Sequence, residues 1–167
     1  MDVFQILIII HLVGTALGVG GATFAEINVL KALKDGIISP DESNLMHGVY
    51  TTMRVGLVIA VLSGLGFLVY YQLNGMEELL YQAKLWAKMT IIGFLVLNAV
   101  LLHKKKISLL WGSAISFTAW YAALIIGSLG KISYSYFEIL GFYAVFVVVA
   151  AGAIHLLHKK LIPRKNG

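Results

Sequence analysis

Residues 11–26 read HLVGTALGVGGATFAE, a stretch inside an apolar run from Phe4 to about Leu33 that carries an imidazole near one end and a carboxylate near the other. A run of that length is enough to cross a bilayer with some tilt, and ionisable groups at such depth mark functional or tightly paired positions. At roughly 100° per residue on a helix, Gly14, Gly18, Gly21, Ala22 and Ala25 fall within about 80° of His11, and Glu26 within about 60°. One face is therefore a stripe of small residues with polar ends. Two readings fit it. Small residues let another helix approach closely, with His11 as an interhelical hydrogen-bonding group. Alternatively, the missing side chains leave room for a flat cofactor, with His11 as the ligand to its iron.

The rest of the 167-residue chain sets the class. It is 59% hydrophobic and 13% charged, with a mean hydropathy of +0.87, which describes an integral membrane protein rather than a soluble domain. Apolar runs recur at about 4–33, 40–72, 80–103, 107–129 and 134–158, with no internal repeat. The expected fold is one all-α domain over residues 1–167, a bundle of five transmembrane helices. The chain opens Met1-Asp2 with no basic segment, so the first helix is expected to be retained rather than cleaved as a signal. Ser39, Pro40 and Glu42 form a capping box with proline at the first helical position, which starts the second helix near Pro40.

The net charge of +5 does not imply a nucleic-acid partner, because the basic residues gather at the ends of apolar runs. Lys31, Lys34, Lys104, Lys105, Lys106, Lys159, Lys160, Arg164 and Lys165 fall on one side, and Lys131 on the other. The positive-inside rule then places the N-terminus outside and the C-terminus in the cytoplasm of a multi-pass plasma-membrane protein surrounded by the lipid bilayer. With no cysteine in the chain, thiolate metal sites, disulfides and covalently attached haem are excluded, which leaves haem b, a histidine-bound metal, or no cofactor.

Depth counting gives two polar layers. His11 on the first helix and Lys88 on the third both lie roughly 12 Å below the outer surface, with Tyr121 of the fourth helix at a similar level. Lys84 and Glu138 lie shallower and are placed to pair. Near the cytoplasmic side Glu26 and Arg54 share a level and are expected to form an ion pair. His47, His103, His155 and His158 cluster at the same end with Asn98, and His47 with His155 forms a candidate second metal or haem site.

These residues carry a resemblance. His11 followed ten residues later by Gly21, Arg54 with Ser63-Gly64-Leu65-Gly66 in the second helix, and Leu85-Trp86-Ala87-Lys88-Met89 opening the third resemble the HemJ-type protoporphyrinogen oxidases and related CopD-like membrane domains over about residues 5–103. The chain departs from that pattern at Gly18, where an aromatic residue is expected, at Glu26-Ile27, and in its fifth helix. The resemblance implies haem b, with His11 and Lys88 at the positions of the family's functional pair; by helical face and depth, Gly14, Gly18, Gly21 and Tyr121 would line the same site. Lys88 would neutralise a propionate or act catalytically. The implied function is electron transfer or oxidation of a small lipophilic substrate, with a redox protein or a second copy of the chain as partner. A cofactor-free transporter for a small solute or metal ion, with His11, Glu26, Arg54 and Lys88 along a polar path, is the rival reading, and a membrane partner subunit the third.

The orientation is checked by reporter fusions at positions 36, 74, 105, 131 and 167. Reporters at 36, 105 and 167 are expected to be cytoplasmic and those at 74 and 131 external. The same side for 74 and 167 would remove the five-span arrangement.

Overall fold

A computed structural model describes residues 1–35, 39–130 and 133–161. The chain runs α1 (Val3–Asp35), α2 (Pro40–Leu73), a single turn α3 (Glu77–Leu80), α4 (Ala83–His103), α5 (Leu109–Ser128) and α6 (Tyr136–Leu161). The helices α1, α2, α4 and α6 are each long and apolar enough to cross a membrane. Of the basic residues that set the expected orientation, Lys131, Arg164 and Lys165 lie outside the described residues.

The helix ends follow local chemistry. The Ser39 hydroxyl accepts from the Glu42 backbone N–H at 3.2 Å, and the Glu42 carboxylate accepts from the Ser39 N–H at 2.9 Å, which closes the expected capping box ahead of Pro40. At its other end α2 stops where Asn74 Nδ2 donates to the Tyr70 carbonyl at 2.8 Å and Gly75 takes a φ of 67°, a conformation that costs a residue without Cβ little. The expected pairing of Lys84 with Glu138 is replaced by two caps. Lys84 Nζ donates to the carbonyls of Leu129 and Gly130 beyond α5, and Glu138 accepts from the Ser135 N–H and hydroxyl, each at 2.8 Å, at the start of α6. Each charge sits at the helix end whose dipole it complements.

Two groups of helices make up the bundle. Antiparallel α1 and α2 share the most extensive contact, and α5 packs on α1, α4 and α6. Among the described residues, side-chain hydrogen bonds join α1 to α2, α1 to α5, α4 to α5 and α4 to α6, and none joins α2 to α4. Because α5 faces protein on most sides, its surface is built from Ala114, Ala119, Ala122 and Ala123 interleaved with Ser116 and Thr118, all buried. Asn98 of α4, 2% exposed, pins α5 by donating to the Gly112 carbonyl at 2.8 Å and to Ser116 Oγ at 2.9 Å.

The glycines of α1 are where the two groups meet. A Cβ at Gly56 of α2 would stand 2.8 Å from both the Gly14 carbonyl and the Gly18 N–H, so the α1 and α2 backbones touch there. On another side of Gly18 lies the ring of Trp120, whose Cη2 would be 2.2 Å from an added Cβ. The indole is 2% exposed. Gly18→Ala is therefore expected to cost about 1–3 kcal/mol by overpacking, while Gly20→Ala, with no atom within 4 Å of its Cβ position, should be neutral or stabilise by up to about 1 kcal/mol. Unfolding in mixed micelles measures both, and equal effects would contradict the Trp120 contact.

Candidate functional site

His11 is held from two directions. Its Nδ1 lies 2.9 Å from Ser63 Oγ of α2, and its ring meets Phe67 edge-on with centroids 5.6 Å apart. Ser63 has a single O–H, which it donates to the Ile59 carbonyl at 2.7 Å. The hydroxyl therefore accepts from His11 Nδ1–H, and in the neutral ring Nε2 keeps its lone pair. A seryl hydroxyl acting behind an imidazole orients it as second-layer groups do around metals, and equally orients it toward a ligand.

The structure brings His11 and Lys88 together. Both line a cavity of about 210 Å³ between α2 and α4, with Thr15, Tyr71, Ala60, Met89 and Trp120 among its walls. The Lys88 ammonium lies near Gly127 of α5. It has no hydrogen bond or ion pair among the described residues, since the carboxylate expected nearest to it, Glu138, is committed to Ser135. The other polar groups of the walls, His11, Thr15 and Tyr71, include no carboxylate, so an ammonium here lacks the anion that would offset its desolvation.

The small-residue face itself is filled by protein. Gly14 and Gly18 lie against the α2 backbone and Trp120, and Gly21 lies against Met53. The remaining space is below the roughly 300 Å³ at which pockets for small organic ligands begin. A porphyrin does not fit this arrangement of residues. Tyr121 is not part of the cavity. Its hydroxyl lies 2.9 Å from Thr23 Oγ1, twelve residues along α1 from His11 and thus about 18 Å away along the axis.

At the opposite end of the bundle, a second cleft of about 240 Å³ lies between the same two helices, lined by Tyr50, Arg54, His103 and Ser116 with apolar neighbours and, again, Trp120. Its polar groups repeat those of the first cavity in kind. Each holds one strong cation, one histidine, one tyrosine and one aliphatic hydroxyl: Lys88, His11, Tyr71 and Thr15 in one, Arg54, His103, Tyr50 and Ser116 in the other.

Glu26 and Arg54 form no ion pair among the described residues. Gly14 packs at Gly56 and Ala60, and Gly21 packs at Met53. This antiparallel register sets Arg54 level with residue 20 or so, about 9 Å along the axis from Glu26. Depths counted inward from the ends of apolar runs miss the offset because the register is set by the glycine contacts between the two helices and not by where each run ends. Glu26 instead hydrogen-bonds Ser113 of α5, beside Tyr50 of α2. Among the described residues no three metal-ligating side chains converge. His47 and His155 are exposed, His103 lines the second cleft, and the His158 side chain lies outside the described residues.

Compared with known proteins, the chain matches no known family, no curated protein and no solved structure.

Ser63, Trp120, Ser113 and Tyr50 were not among the residues singled out from sequence. In the sequence, Ser63 carries a signal only as part of the Ser63-Gly64-Leu65-Gly66 motif. The Glu26 contacts are tested by double-mutant cycles in reversible unfolding. Glu26→Gln with Arg54→Gln is expected to be additive within about 0.5 kcal/mol, whereas Glu26→Gln with Ser113→Ala should couple by about 0.6 kcal/mol, the scale of interhelical hydrogen bonds in membranes. Coupling of the first pair and not the second would restore the ion pair.

Proposed function

We propose that the chain is a cofactor-free membrane transporter for small organic anions, with five spans, the N-terminus outside and the C-terminus in the cytoplasm. The orientation rests on the lysines and arginines at the ends of the apolar runs. The observation that carries the function is the pair of cavities: both lie between α2 and α4, both are lined by Trp120, and they carry the same set of polar groups. A site that receives a solute from one side and a like site that releases it to the other need matching chemistry, and the indole is the partition between them.

The charge type selects the solute. Lys88 and Arg54 supply one cation each with no carboxylate opposite, and His11, Tyr71, Tyr50 and His103 add hydrogen-bonding positions. A carboxylate or sulfonate meets the cation, and its organic part meets the apolar walls. Cavities of this size admit a compact anion of few heavy atoms. The Ser63 contact fixes the His11 ring, so that one side of the solute finds a preset partner. Metal ions are poorly served, because two cations stand where ligands for a cation belong.

The test is flux into proteoliposomes of purified protein, with pyruvate and benzenesulfonate as probes. Uptake above protein-free liposomes is expected. Lys88→Ala and Arg54→Ala should each reduce it by about tenfold or more, equivalent to ~1.4 kcal/mol. Trp120→Phe should raise leak of both probes, since a smaller ring leaves the partition incomplete. The absence of flux for both probes with correctly folded protein would overturn the reading. So would a Soret band in the purified protein that His11→Ala abolishes, which would return His11 to a haem.

A further inference from the structure

Among the described residues of α1, Glu26 is the one acidic side chain that lies among buried positions. It stands in the stripe Ala22, Ala25 and Val29, itself only 9% exposed. One carboxyl oxygen, Oε1, is fully buried with no hydrogen-bond partner, while Ser113 engages the group from α5. A carboxylate with a bare oxygen in an apolar stripe and no cation within ion-pair distance is costly, whereas the neutral acid is far less so. Among the described residues, the helices packed on α1 offer no compensating charge. From α2 the nearest titratable group is Tyr50, Arg54 faces the cleft and His47 is exposed. On α5 the titratable side chain is Tyr121, bound to Thr23. On α6, Tyr143 is buried in the central core and His155, Lys159 and Lys160 are exposed.

The surroundings also connect Glu26 to the transport path. Tyr50 lies beside Glu26 and lines the cleft that holds Arg54. Toward the other cavity, Thr23 stands one turn from Glu26 on α1 and bonds Tyr121, and Thr15 lines the His11 cavity.

We propose that Glu26 is the proton-binding site of the transporter, so that one organic anion moves together with one proton; this deepens the transport reading above and rests on it. The carboxylate takes a proton at Oε1 from hydronium that reaches it when the bundle opens toward one side, giving the neutral acid and water, and returns the same proton to water when the bundle opens toward the other, with no bond formed or broken except O–H. The charge of the anion is offset in transit by the proton, so neither Lys88 nor Arg54 has to move with the solute.

Two measurements test it. Infrared difference spectroscopy of the protein in lipid should show the C=O band of a protonated, water-excluded carboxylic acid that shifts in deuterium oxide and is missing in Glu26→Gln; this readout does not depend on transport. In proteoliposomes, an inward proton gradient should drive accumulation of benzenesulfonate, a permanently charged probe. Glu26→Gln should reduce that accumulation by at least tenfold, and Glu26→Asp should keep part of it. Wild-type flux that ignores the proton gradient would overturn the coupling while leaving transport standing. A carboxyl band that persists in Glu26→Gln, or its absence from wild type, would overturn the protonated Glu26 whatever the flux assay gives.

Discussion

The seating of the Trp120 indole against Gly18 is the contact on which the bundle depends. It is the point at which the α1/α2 hairpin and the α4, α5, α6 group share a buried surface, and it decides what the glycine stripe of α1 is for. Without a driving force between apolar helices in lipid, association relies on close packing and hydrogen bonds. Gly14, Gly18 and Gly56 supply the first by backbone contact, and the indole fills what they leave open. The volume that might have held a flat cofactor is thereby occupied by a side chain of the protein. What remains above and below the ring is a pair of small polar cavities.

Much of this was legible in the sequence, and the reasons for the rest are specific. Apolar length and capping chemistry placed the helices, because Ser39-Pro40-Asp41-Glu42 leaves a helix little choice of where to begin. The nearness of His11 and Lys88 followed from counting residues inward, and both line one cavity. The same counting failed for Glu26 and Arg54, since it measures each residue from its own helix end, and the contacts of Gly14 with Gly56 and of Gly21 with Met53 offset those ends. Tyr121 was lost for a related reason: its level depends on how α5 is set along α1, which the Thr23 contact fixes and composition does not. Trp120 left a trace that is visible in retrospect. A glycine at position 18, in the middle of a long apolar helix, is what a large ring arriving from another helix requires.

The charges tell a consistent story once the pairs are redrawn. Lys84 and Glu138, which looked like partners, each cap a helix. Glu26 meets a hydroxyl rather than a guanidinium. These reassignments leave Lys88 and Arg54 as cations beside space rather than beside carboxylates. Arg54 is exposed and Lys88 half-buried, so it is the Lys88 charge that this apolar bundle retains without a carboxylate beside it.

The uneven distribution of hydrogen bonds has a mechanical side. Side-chain bonds tie α1 to α5 and tie α4 to both α5 and α6, while the α2–α4 boundary has none among the described residues. The molecule is built like a book, with its spine along α1 and α5 and its fore-edge between α2 and α4. A small rotation about the spine displaces the fore-edge most, because that is where the lever arm is longest. Both cavities lie at that edge. A tilt that splays one end of the α2–α4 boundary narrows the other, so the stiffness of the spine turns a single degree of freedom into opposite changes at the two mouths.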